Sequence, residues 1–104
     1  MDLKSNIGYQ KEDGTFETVY CHKGTLKENF TELSKYFISV ENVKLLTNAG
    51  NMKIIGYPYE ETPDKELSIN YKTKEDTFLY EASYLFINGK WLYTLNGKDW
   101  LSKI

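Results

Sequence analysis

The clearest pattern of apolar and polar positions runs from Ala82 to Leu95, where two alternating segments flank Asn88-Gly89. A two-residue type I′ turn needs positive φ at both central residues, and Asn-Gly supplies it. That turn sets Phe86 opposite Trp91 and Tyr84 opposite Tyr93, so four aromatic rings share one face of the ribbon, with Leu85 and Leu92 on the other. Cross-strand aromatic pairs add roughly 0.2 to 1 kcal/mol each over an alanine pair. This hairpin is the element on which the rest of the chain is predicted to pack.

Ile7 to Cys21 reads as a first hairpin around Asp13-Gly14. A two-residue loop there pairs Tyr9 with Thr18 and Ile7 with Tyr20. Ile7, Tyr9, Phe16 and Tyr20 then share one face, and Gln10, Glu12, Thr15 and Glu17 form a wet one. Gly24 breaks the strand, and Thr25-Leu26-Lys27-Glu28 has capping-box spacing for a helix carrying Leu26, Phe30, Leu33 and Phe37 on one side. Ser39 caps a second helix of about two turns with Val40, Val43 and Leu46, stopped by Ala49-Gly50-Asn51. Met52 to Tyr57 is a short apolar run that periodicity leaves open between strand and extended connection. Leu67, Ile69 and Tyr71 alternate as a strand, Lys74 to Tyr80 forms a helical turn or the approach to the main hairpin, and Trp100, Leu101 and Ile104 fold back as a closing strand or tail. The predicted fold is a single α+β domain over residues 1–104: an antiparallel sheet of two β-hairpins plus connecting strands, with two helices packed on one face.

Composition narrows the picture. The nine Tyr, five Phe and two Trp favour a sheet-rich fold. Cys21 is the one cysteine, so an internal disulfide is excluded and a reducing compartment is expected. No apolar run approaches the ~18 residues that span a membrane, and the first residues lack a signal-peptide pattern. A soluble chain in the cytoplasm is the expectation. All 13 basic residues are lysine and the net charge is −2, which disfavours nucleic acid as a partner, because bidentate phosphate and guanine recognition is mainly arginine work. The charge is unevenly spread: residues 1–56 balance at zero, whereas Tyr57 to Ser83 carry a net of −4.

Few residues point to chemistry. Cys21-His22 suggests a nucleophile and base, but neighbours on a strand face opposite ways, and a buried Cys beside a strand-end His is the plainer reading. A zinc site would need two carboxylates with no motif spacing behind them. The glycines are scattered as punctuation and form no phosphate-cradling loop. Glu60-Glu61 and Glu75-Asp76 read as solvated loop charge. No catalytic residue, cofactor or metal is expected. The functional candidate is the acidic stretch of Tyr57, Tyr59, Glu60, Glu61, Asp64 and Glu66. Its prolines stiffen a loop, its carboxylates supply negative potential and its tyrosines supply contact area, which together suit a basic protein surface.

Ile7-Gly8, Asp13-Gly14-Thr15, Val19-Tyr20-Cys21-His22 with Gly24, Leu33 to Tyr36, Val43 to Leu46 and Gly50 form one block of residues, and Tyr84-Leu85-Phe86 with Gly89, Trp91 and Tyr93 a second. With these the chain resembles a family of small uncharacterised proteins encoded by phages and prophages. It departs from that pattern between His22 and Gly24, where relatives carry an aromatic residue and an aspartate and this chain has Lys23. The resemblance implies a phage or mobile-element origin, and small accessory proteins of that origin often inhibit host defences. The expected function is therefore a non-enzymatic, anti-CRISPR-like inhibitor acting in the bacterial host's cytoplasm. It would bind a host protein with a basic surface, as a monomer or small homo-oligomer and without a membrane. A sponge for a small nucleotide signal is the alternative and a small enzyme the third reading.

Overall fold

A computed structural model describes residues 2–58 and 69–103, with the backbone alone of Tyr57 and Pro58. The Asn88-Gly89 hairpin forms as its pattern demands. β6 (Ala82–Ile87) and β7 (Lys90–Thr94) pair antiparallel, with Phe86 opposite Trp91, Leu85 opposite Leu92 and Tyr84 opposite Tyr93. Asn88 and Gly89 take φ of 51° and 79°, the two positive values that a type I′ turn requires. All four aromatic rings enter the core, and Leu85 is buried on the opposite face.

The first hairpin differs by one residue. β1 (Ser5–Gln10) and β2 (Phe16–Cys21) pair antiparallel, but Ile7 faces Val19 and Tyr9 faces Glu17. The cause is a three-residue loop. Lys11 N donates to Thr15 O at 2.7 Å, Gly14 N donates to Lys11 O at 3.0 Å, and Gly14 has φ of 88°: a type I turn closed by a left-handed glycine. Asp13 Oδ1 accepts from both the amide and the hydroxyl of Thr15, which favours this turn over a two-residue one. A slip of one residue turns every β2 side chain over. Val19 and Cys21 therefore join Ile7 and Tyr9 in the core, and Phe16, Thr18 and Tyr20 lie on the other face. Glu17, assigned to a wet face by the two-residue reading, instead accepts from the Tyr9 hydroxyl at 3.3 Å and the Thr47 hydroxyl at 3.5 Å.

Side-chain caps place the helices. Ahead of α1 (Leu26–Tyr36), the Thr25 hydroxyl accepts from Glu28 N at 3.1 Å and donates to the Glu28 carboxylate at 2.8 Å. Ser39 Oγ accepts from Asn42 N at the start of α2 (Val40–Asn48), and Gly50, with φ of 82°, follows its end. Phe30 and Leu33 of α1, and Val43 and Leu46 of α2, share one core cluster with alternate residues of β1, β2, β6 and β7. Val40, expected on the buried stripe, is exposed.

Sheet topology corrects a second expectation: the sheet is mixed, where a purely antiparallel one was predicted. Its strands run β4-β3-β2-β1-β6-β7, with β3 at Met52–Ile54 and β4 at Tyr57–Pro58. β1 and β6 are parallel and so join the two hairpins, while β2 and β3 meet in parallel at Cys21 and Met52. A chain that leaves β2, forms two helices and re-enters beside β2 makes a crossover, and crossovers return parallel. β5 (Ile69–Tyr71) pairs antiparallel with the other end of β2; Leu67 lies outside the described residues.

The sheet's second face is covered rather than wet. A 3-10 helix (Glu75–Thr77) lies against it, with Asn6 Nδ2 donating to Thr77 O at 2.7 Å and the Thr77 and Ser83 hydroxyls 2.7 Å apart. Thr18, Ser83, Leu85 and Thr94 are buried there. After β7 the chain folds back: Leu101 pairs with Tyr93, and the Tyr93 hydroxyl donates to Lys103 O at 2.7 Å. No helix among the described residues is long and apolar enough to cross a membrane.

Candidate functional site

Helical spacing decides which apolar residues of α2 reach the core. Val43, Leu46 and Thr47 are buried, and Leu45, one position off that stripe, is left 70% exposed. Two leucines in a row cannot both face inward on a helix. Leu45 borders an apolar groove of about 240 Å³ lined by Phe37, Leu46, Ala49, Met52 and Gly56. Gly50 and Gly56 hold positive φ at two edges of the groove, and a Cβ at Gly56 would meet nothing within 4 Å, so that edge is open. Tyr36 and Ile38, in the corner between the helices, and Ile54 of β3 are also exposed. Leu45 and the apolar groove beside it form one exposed margin, and such a margin marks a contact surface more often than a singly scattered apolar residue does.

This margin leads into the predicted acidic site. Gly56 lines the groove, and the next residue, Tyr57, pairs with Ile54 in edge strand β4. Tyr59, Glu60, Glu61, Asp64 and Glu66 lie outside the described residues, so the structure places only the backbone of Tyr57 from that set. Pro58 removes an amide from the edge, which blunts strand addition there.

Cys21 and His22 part company across the sheet. The Cys21 thiol is fully buried and donates to Lys23 O at 3.3 Å, and burial pushes it up to about 12. A thiol held protonated at neutral pH is a poor nucleophile. The His22 ring lies on the side of Tyr20, with Nδ1 2.6 Å from the Tyr20 hydroxyl, and Tyr20 in turn packs on Tyr80 at 4.8 Å between ring centroids. Ser5 sits beside the Cys21 thiol and Asn29 beside the Tyr84 hydroxyl, all four residues buried, and burial pushes the Tyr84 phenol up to about 12. Glu75 and Asp76 are exposed in the 3-10 helix. Among the described residues no group of three or more His, Cys, Asp or Glu is placed to hold a metal ion.

A wider cleft of about 880 Å³ opens between the tips of both hairpins and the start of α2. Lys11 and Lys44 line it together with Glu12, Asp13 and Glu41, so its walls mix both signs of charge. Sequence reasoning passed over Leu45, Ile54 and Gly56; the adjacent leucines at 45 and 46 were the available signal. Compared with protein-family models, with curated proteins and with solved structures, the chain matches none.

Proposed function

We propose that the chain is a non-enzymatic binding protein that occupies the surface of another protein. On the resemblance of its two residue blocks, we read it as a phage or mobile-element inhibitor of a bacterial defence component, anti-CRISPR-like in its mode of action. The observation that carries the binding reading is the apolar groove beside α2, with Leu45 standing exposed on its rim. A groove of this kind takes one or two apolar anchor side chains of a partner, and such anchors supply most of the energy of an interface. The acidic stretch from Tyr57 to Glu66 continues from the groove's open edge in sequence and would select a partner with a basic surface.

Nucleophilic catalysis needs an activated nucleophile, and the buried, protonated Cys21 offers one poorly. The test is capture from bacterial lysate with the tagged chain, run beside Leu45→Asp and beside a variant with Glu60, Glu61, Asp64 and Glu66 changed to Gln or Asn. A protein retained by the parent chain and lost from Leu45→Asp supports the reading, and its association rate should fall with added salt and in the fourfold variant. A captured protein indifferent to both variants contradicts the assignment of this surface.

A further inference from the structure

A second groove, of about 320 Å³, lies on the far side of Trp91, between α1, the tip of the β6–β7 hairpin and the C-terminal tail. Phe30, Phe86 and Trp91 line it with Ser34, and Lys90 and Lys103 stand at its rim. The three rings are almost wholly buried, so each contributes only a small apolar patch to the groove. Among the described residues no carboxylate lines the groove, and neither lysine side chain has a hydrogen-bond or ion-pair partner. Its walls are held in place. Pairing of Leu101 with Tyr93, and the bond from the Tyr93 hydroxyl to Lys103 O, fix the tail along β7. The end of α1, whose free carbonyls would repel an anion, has Phe37 O turned onto Trp91 Nε1 at 2.7 Å.

We propose that this groove binds a small amphipathic anion: an apolar body against the apolar lining, and a phosphate, sulfonate or carboxylate within reach of Lys90 and Lys103. The volume falls at the lower end of small-ligand pockets, which combine an apolar lining with a few placed polar groups. Two unpaired cations beside an apolar floor favour a ligand that carries both features over a neutral one. This site is separate from the Leu45 groove, so it stands or falls independently of the partner-binding reading.

The experiment uses the full chain and two fluorescent probes of similar shape, anionic 1-anilinonaphthalene-8-sulfonate and neutral N-phenyl-1-naphthylamine. One equivalent of the anionic probe should bind, at least fivefold more tightly than the neutral one. Lys90→Ala with Lys103→Ala should weaken the anionic probe about fivefold and leave the neutral one unchanged, as expected for two solvent-exposed ion pairs. Ser34→Trp, on the exposed side of α1, should fill the groove and abolish both while the melt stays unchanged. Adenosine monophosphate and naphthoate as competitors separate a phosphate ligand from a carboxylate one. Equal affinity for the two probes, anion binding indifferent to the double lysine variant, or displacement by neither competitor overturns the proposal.

Discussion

Replacing Trp91 by alanine removes the indole of the β6–β7 hairpin from a position where 5% of its surface reaches solvent. Its ring packs on Phe86 at 5.4 Å between centroids, and its Nε1 is bonded to Phe37 O at the end of α1. Truncating a buried tryptophan costs about 3–5 kcal/mol through lost transfer energy and the cavity left behind. The stranded Phe37 carbonyl moves the expectation toward the upper end. At about 4–8 °C per kcal/mol for a domain of this size, the melt should fall by about 12 °C or more. Trp91→Phe keeps a ring in place and gives up the hydrogen bond, so it should cost about 1 kcal/mol plus a smaller packing loss. The assay is urea unfolding followed by far-ultraviolet circular dichroism, because the substitution removes a fluorescent probe. A Trp91→Ala variant destabilised by less than about 1 kcal/mol would refute the reasoning, since the aromatic face would then not be a packed core.

At Gly8 an added methyl would collide with the Glu17 carbonyl across the β1–β2 pair, where backbone cannot move aside. Gly8→Ala should therefore cost about 3 kcal/mol or more, and a melt within a degree of the parent's would show that the strands can part there. Burial raises both the Cys21 thiol and the Tyr84 phenol to about 12, so the folded chain holds two protons that the unfolded chain releases earlier. That stability is complete below pH ~8.5 and is lost progressively as the pH climbs toward 12. Unfolding free energy measured from pH 8 to 11 should fall, and should fall less steeply in Cys21→Ala with Tyr84→Phe; an unchanged slope contradicts the assignment. The same burial predicts that a thiol reagent at pH 8 modifies Cys21 only after denaturant is added, and rapid labelling of the folded chain would count against it.

Local chemistry that specifies its own geometry was legible in the sequence. Asn88-Gly89 fixes a turn type and hence the whole β6–β7 register, and Thr25 and Ser39 mark helix starts through hydroxyls that have one nearby amide to accept from. Asp13-Gly14 was ambiguous because the same dipeptide closes two-residue and three-residue loops, and the choice rests on Thr15, whose amide and hydroxyl both reach Asp13. That single residue reverses the faces of β2, which is why Glu17 lies on the side of Tyr9 and Thr47. The parallel pairings of β1 with β6 and of β2 with β3 depend on where the helices return the chain, which no window of residues encodes. Of the candidate surface, the acidic composition was readable. The groove it leads from was not, because Phe37, Leu45, Met52 and Gly56, far apart in the chain, line one groove only in the folded structure.

The most direct test of partner binding is calorimetric titration of the captured host protein with the parent chain and with Leu45→Asp. Leu45 is exposed, so the substitution should leave the melt unmoved while placing a charge on the rim of an apolar groove. If the groove is the contact, affinity should fall at least tenfold, equivalent to about 1.4 kcal/mol. Equal affinity for the two chains would contradict the account and place the interface elsewhere on the molecule.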